Sequence, residues 1–143
     1  MAWLSGKLGG LLHRDKVKGW GNYGKAKVSY RDNTFTAYVA DSRGKVMKGL
    51  MGREALGKDE AMLFIFEREG RQGFWMLNMK FSIDIVWLDK SKRITYIAEN
   101  AKPCGSIFNC PVYRPKESSL YVLELKAGIA HELGMKTGDA LRW

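Results

Sequence analysis

The sequence contains few of the residues that identify a function at sight. Among its 143 residues are two cysteines, two histidines and three prolines. Two cysteines are too few for a small disulfide-rich secreted scaffold. No stretch approaches the roughly 18 consecutive apolar residues of a membrane-spanning helix. We therefore predict a globular protein with no transmembrane segment.

Recognised catalytic motifs are also missing. The sequence has no P-loop, no dinucleotide-binding glycine pattern, no nucleophile elbow and no metalloprotease motif. Zinc takes four ligands, and His13 and His131 are far in sequence from the two cysteines. We predict no metal site and no cofactor. The leading hypothesis is a small non-enzymatic binding or scaffolding domain whose partner is a small polar ligand or another protein.

The first twelve residues make a poor secretory signal. They have no charged lead-in, and two glycines and a lysine interrupt their apolar residues. A cytoplasmic location is the default expectation. An exported or envelope location is the alternative if a signal was removed from the natural protein.

Basic residues are abundant. The chain has 24 lysines and arginines against 15 acidic residues, which gives a formal net charge of +9. They are scattered along the sequence, a distribution typical of a solvated surface. The charge also allows nucleic-acid binding as a lower-ranked hypothesis, in which Tyr30, Phe35 and Tyr38 on an exposed basic hairpin would stack on bases.

Hydrophobic residues make up 45% of the chain, and their spacing predicts a mainly β fold. We predict strands at residues 25–30, 34–40, 61–66, 73–77, 83–89, 93–99, 121–125 and 140–143. Short turns between them favour a compact antiparallel barrel or sandwich of about eight short strands with two short helices. Residues 1–24 are expected to be a flexible or loosely docked leader, and residues 25–143 a single β-rich domain.

The first predicted helix begins after a capping residue, Asp41 or Ser42. Four apolar residues then share one face of the helix. They are Val46, Met47, Leu50 and Met51. We interpret this methionine-rich stripe as part of the core rather than as the wall of a ligand pocket.

The stretch 73–89 is strongly apolar but includes Asn78 and Asp84. In a strand, Asp84 shares its face with Val86 and Leu88, and neither face is solvent-like. A buried carboxylate needs a donor, because leaving it unpaired costs several kcal/mol, roughly. Arg53 is the leading candidate for that donor and Asn78 the second.

Cys104 and Cys110 lie in a proline-bearing loop, and three interpretations remain open. They form a disulfide that closes the loop, they are inert thiols, or they take part in metal binding or catalysis. We predict the disulfide.

An ordered series of short phrases resembles a known family. The phrases are Gly49-Leu50-Met51-Gly52-Arg53-Glu54, Met62-Leu63-Phe64, Phe74-Trp75-Met76, Asn78, Asp84-Ile85, Leu88-Asp89, Cys104, Cys110-Pro111, Tyr113, Tyr121-Val122-Leu123-Glu124-Leu125, Ala127-Gly128 and Gly138-Asp139. The chain closely resembles the domain of unknown function 192 family over residues 28–142. The resemblance implies a compact β-rich barrel or sandwich with two small helices, and it implies no established activity.

Two positions depart from the family pattern. The family commonly has Lys-Asn-Thr after its Phe-Trp-Met, whereas Leu77 and Met79 flank Asn78 here. It usually has a proline shortly before its aspartate, where Ser82 and Ile83 stand here. A site that depends on that lysine or threonine is therefore not carried over to this chain.

These observations predict a ligand site at Arg53, Trp75, Asn78 and Asp84. As an alternative, the polar members of this group brace the core and bind nothing. A further alternative is an enzyme that uses Asp84 as its acid or base, which requires Asp84 at the wall of an open cleft. Full burial of Asp84 would remove the enzyme hypothesis.

Overall fold

The computed structural model describes residues 20–143, so the part of the predicted leader at residues 1–19 lies outside the described residues. The mainly β fold is confirmed. The eight strands are β1 (Gly24–Tyr30), β2 (Asn33–Ala40), β3 (Glu60–Gly70), β4 (Phe74–Trp75), β5 (Ile83–Leu88), β6 (Ile94–Ala101), β7 (Val112–Tyr113) and β8 (Ser119–Lys126). Within residues 20–143 the α-helices are α1 (Arg43–Lys48) and α2 (Ile129–Leu133), and a 3-10 turn spans Ile107–Asn109.

Six strands form one sheet in the order β1-β2-β3-β8-β5-β6. The predicted hairpins at residues 25–40 and 83–99 are confirmed as the antiparallel pairs β1–β2 and β5–β6. β2 and β3 run parallel, because α1 and the loop after it carry the chain back across the sheet. The stretch 73–89 does form two strands, but they lie in different sheets, since β4 pairs with β7.

The C-terminal residues touch both edges of the large sheet. Arg142 bridges to Ser29 of β1, and Ala140 bridges to Arg93 just before β6. These are isolated bridges, so the predicted last strand at residues 140–143 is reduced to single contacts. The six-stranded sheet is therefore tied at one end but is not closed into a barrel by a continuous ladder.

Apolar residues cover both faces of the sheet, as expected from strands without a solvent-like face. The core on one face includes two residues of α2, Ile129 and Ala130, and we call it the α2-side core. The core on the other face lies under α1 and residues 50–56, and we call it the α1-side core. The arrangement is sandwich-like, with the sheet in the middle.

Candidate functional site

A cavity of about 460 Å³ opens on the α1 side of the sheet. It lies between α1, β3 and the segment at residues 73–79, and we call it the α1 cavity. Its lining residues are Val46, Met47, Lys48, Gly49, Met51, Phe64, Phe66, Gly73, Phe74, Trp75, Leu77, Asn78, Met79 and Glu124. Most of these side chains are apolar, and the volume falls within the roughly 300–1,000 Å³ of small-molecule sites.

The short helix α1 forms one wall of the cavity. Its beginning is the predicted cap, since the Ser42 Oγ accepts a hydrogen bond from the Lys45 backbone N–H at 3.4 Å. Its end is at Gly49, which has a positive φ of 50° that glycine adopts readily. A Cβ at Gly49 would lie 3.5 Å from the Phe64 ring, so the helix end packs directly against β3.

The methionine stripe of this helix does not have the predicted role. Leu50 is buried, but the Met47 side chain is 70% exposed, and Met47 and Met51 both line the α1 cavity. The helix ends before Leu50, so the four apolar residues no longer share one helical face. The interpretation of the stripe as core is therefore wrong for the two methionines.

The segment 73–79 forms the opposite wall. The Phe74 ring packs edge-on against Phe64 at 4.9 Å and against Trp87 at 5.9 Å between ring centroids. Trp75 is 46% exposed at the rim of the cavity. Asn78 is also exposed, and its φ of 60° is a left-handed value that asparagine tolerates better than most residues. Two of the predicted ligand residues, Trp75 and Asn78, thus line the cavity.

A buried carboxyl group faces this cavity from β8. Leu123 and Leu125 belong to the α2-side core, so Glu124 points to the α1 side. Its cross-strand neighbours there are Met62 and Ile85, which are fully buried. Glu124 is 5% exposed, and its Oε2 atom has no hydrogen-bond partner among residues 20–143.

The apolar surroundings determine the charge of this group. Burial raises the pKa of Glu124 to about 8, because the ionised form loses its hydration. The uncharged carboxyl therefore predominates at neutral pH. The sequence prediction missed Glu124, although one signal was present: it is the only charged residue in the buried segment 121–125.

Asp84 occupies a different environment on the other face. It is fully buried, and its face is shared with Val86 and Leu88 of the α2-side core. Its Oδ1 accepts from the Asn100 N–H at 2.8 Å, and its Oδ2 accepts from the Ala130 N–H at 2.9 Å. The carboxyl group thereby caps the first turn of α2 from a neighbouring strand.

The predicted pairing of Asp84 with Arg53 or Asn78 is therefore wrong. Backbone N–H groups satisfy both oxygens, because β5 delivers Asp84 to the start of α2 and not to the side of α1. Full burial with both oxygens occupied argues against Asp84 as the acid or base of an enzyme, although Asp84 borders an open pocket with Asn100 and His131.

Arg53 lies in an aromatic cluster. Its guanidinium lies 3.2 Å from the centroid of the Trp20 ring, and that ring stacks on Tyr38 at 3.7 Å. Burial lowers the pKa of Arg53. Arg53 is not among the residues that line the α1 cavity. The three polar residues Arg53, Asn78 and Asp84 are thus not brought together in one site.

Two further groups of sequence candidates have clear positions. Cys104 and Cys110 are joined in a disulfide, which closes a loop with exposed Ile107 and Phe108 at its tip. Tyr30, Phe35 and Tyr38 are buried, so the predicted exposed aromatic face for nucleic acid is wrong. These three rings point into the two cores and leave no stacking surface.

Residues 20–143 contain neither a cluster of metal ligands nor a membrane-spanning helix. No group of three or more histidine, cysteine or acidic side chains in this part of the chain could hold a metal ion. Among the same residues, no helix is both long enough and apolar enough to cross a membrane.

Comparison with known proteins gives the family. The family model described as "Uncharacterized ACR", the domain of unknown function 192, matches residues 25–143. The chain belongs to this family. The resemblance seen in the sequence phrases is thus confirmed, and the family carries no established activity.

Individual relatives are similarly uncharacterised. A UPF0127 protein of Thermococcus kodakarensis is 27% identical over 93% of this chain and 72% of the relative. One from Thermococcus gammatolerans is 29% identical over 73% of this chain, which spans 64% of that relative's length.

Two solved structures share the fold. A protein of unknown function from Novosphingobium aromaticivorans has a TM-score of 0.81 and 27% identity, and 95% of each chain is covered. A candidate transcription regulator from Sinorhizobium meliloti 1021 has a TM-score of 0.76 and 30% identity over 84% of this chain and 94% of that one.

Proposed function

We propose that this protein is a binding domain that holds a small, largely apolar molecule in the α1 cavity. One observation carries the proposal: a buried, unpartnered carboxyl group, Glu124, faces an otherwise apolar cavity of about 460 Å³. Most buried polar groups in proteins have a hydrogen-bond partner, and each exception calls for a reason. A ligand that brings a polar group to Glu124 supplies one.

The rim of the cavity supports the same function. Met47 and Trp75 are large apolar side chains that are 70% and 46% exposed, respectively. Exposed apolar residues around a concave site are typical of ligand-binding surfaces. A ligand that fills the cavity would cover both side chains and recover part of the apolar area that they leave in water.

The walls favour binding of apolar molecules over chemistry. The polar side chains that line the cavity are Lys48, Asn78 and Glu124, of which Lys48 and Asn78 are exposed. These residues do not form a nucleophile with an adjacent base. The function that fits is therefore reversible capture of a molecule with an apolar body.

The proposal is tested with N-phenylnaphthylamine, an uncharged apolar probe that fluoresces on leaving water. We expect saturable binding with one probe per protein. Met51→Trp fills the cavity and should weaken probe binding at least tenfold. Ile107→Trp adds the same ring to an exposed loop outside the cavity and should leave binding unchanged.

Two outcomes would contradict the proposed function. One is the absence of saturable fluorescence with the unaltered chain. The other is equal binding by the unaltered chain and by Met51→Trp, provided that circular dichroism shows that variant to be folded.

A further inference from the structure

This inference rests on the proposed function and concerns the chemical class of the ligand. The α1 cavity combines an apolar body with a single deep polar group, the Glu124 carboxyl. A ligand with an apolar body alone would leave the Glu124 Oε2 atom without a partner. A bound molecule whose head group forms hydrogen bonds with this carboxyl supplies the partner once the Glu124 side chain turns its buried Oε2 atom toward the cavity.

The charge of that head group follows from the groups around Glu124. Its cross-strand neighbours Met62 and Ile85 are apolar. The other charged residue that lines the cavity is Lys48, an exposed cation on α1. No basic side chain within residues 20–143 forms an ion pair or a hydrogen bond with Glu124. The carboxyl therefore stays uncharged at neutral pH, since burial raises its pKa to about 8.

Cationic and anionic heads both fit this environment poorly. An ammonium group would either bury its own charge beside an uncharged carboxyl or ionise Glu124 in an apolar site. It would also approach past Lys48 on a chain with a formal net charge of +9. A carboxylate head would bring a charge beside a carboxyl that already holds its proton, and it would lose its hydration without gaining a cation. An uncharged head avoids both costs.

A protonated carboxyl offers one O–H donor and one C=O acceptor side by side. An uncharged group that matches both at once is a carboxamide, whose C=O accepts and whose N–H donates. We propose that the α1 cavity binds a small apolar molecule with a carboxamide head, which forms a reciprocal pair of hydrogen bonds with the side chain of Glu124.

Isothermal titration calorimetry on the full chain tests the proposal with four probes that share one body. They are phenylbutanamide, phenylbutylamine, phenylbutyrate and butylbenzene, which has no head group. At pH 7 we expect the amide to bind at least tenfold more tightly than each of the other three. Its affinity should fall about tenfold between pH 7 and pH 9, because Glu124 loses its proton near pH 8.

Two variants separate the head group from the cavity. Glu124→Leu should reduce amide affinity to that of butylbenzene and leave butylbenzene binding intact. Glu124→Gln keeps a donor beside an acceptor, so it should retain amide binding and lose the dependence on pH. The second variant keeps the test decisive if the first does not fold.

Each contrary outcome has a distinct meaning. Amide binding that equals butylbenzene binding, or that Glu124→Leu leaves unchanged, overturns the carboxamide inference while the proposed function stands. Tighter binding of phenylbutylamine than of the amide also overturns the inference and assigns the site to organic cations. If none of the four probes binds, both the inference and the proposed function fail.

Discussion

Two buried carboxyl groups lie on neighbouring strands of the same sheet, yet they have opposite environments. Asp84 of β5 and Glu124 of β8 are one residue apart in register, because Ile85 pairs with Glu124. They point to opposite faces. Asp84 receives two backbone N–H groups, whereas the Oε2 atom of Glu124 receives none within the described residues.

The difference separates a structural role from a binding role. The carboxyl of Asp84 ties β5, β6 and α2 together, and no acceptor capacity is left facing solvent. The carboxyl of Glu124 ties nothing together and borders a cavity. A buried acidic residue is thus informative about function only when its partners are known, since burial alone describes both groups equally well.

The largest expected effect is the pH dependence that Glu124 contributes to stability. Burial raises the pKa of Glu124 from its ordinary value of 4.5 to about 8 in the folded protein, so the folded state holds the proton more tightly. Stability from this group is full below pH 4.5 and is lost as pH rises to about 8. Glu124→Gln should remove this loss. Its free energy of unfolding, relative to that of the unaltered protein, should therefore rise by roughly 4 kcal/mol between pH 4.5 and pH 8.

Urea denaturation at several pH values measures this difference. Glu117→Gln, at an exposed position, is the matched control. A constant difference between Glu124→Gln and the unaltered protein from pH 4.5 to pH 8 would contradict the prediction.

Asp84→Asn is expected to lower the stability of the protein, whereas Glu124→Gln is expected to raise it. The asparagine amide can accept one of the two backbone N–H groups, but its own NH₂ would face the other donor. We expect a loss of about 2–4 kcal/mol in the free energy of unfolding at pH 7. Asp59→Asn, at an exposed position, is the matched control for denaturation experiments. Equal stability of the two variants would remove the structural role assigned to Asp84.

A third carboxyl group, that of Asp139, is expected to have a smaller effect on stability. Asp139 accepts a hydrogen bond from the Tyr30 hydroxyl at 2.6 Å, and this bond lowers the pKa of Asp139. Its contribution is present above pH 3.8 and is lost as pH falls through the lower folded pKa. Tyr30→Phe should cost about 1–2 kcal/mol at pH 7 and less in acid.

Thermal denaturation at pH 7 and at acidic pH tests this case. Tyr113→Phe is the control, because Tyr113 is a half-buried tyrosine of the separate two-stranded sheet. An undiminished cost of Tyr30→Phe in acid would show that the Asp139 carboxylate is not responsible.

Features that depend on neighbouring residues in sequence were predicted well. The β1–β2 hairpin and the Ser42 cap are set by local turn and capping chemistry. The burial of Asp84 followed from strand alternation, because both faces of residues 83–88 are apolar. The resemblance to the family also implied a compact β-rich domain, although it did not give the strand order.

The site could be predicted only in part, because it depends on the order of strands. β8 lies between β3 and β5, and this places Glu124 between Met62 and Ile85. No local pattern gives that order. The exposure of Met47 was missed for a related reason, since the helix ends earlier than its apolar pattern predicts. The partners of Asp84 are backbone N–H groups from two distant segments. Every residue except proline has such a group, so the sequence does not indicate which ones a carboxyl will meet.

The strand order also has a consequence for synthesis of the chain. β8 is the last strand of the sheet to leave the ribosome, yet it fills the middle of the sheet between β3 and β5. Until residues 119–126 emerge, two apolar strands have open edges that invite pairing with other chains. Folding of the sheet is therefore expected to wait until β8 has left the ribosome, and the cavity forms in the same step because Glu124 arrives with β8.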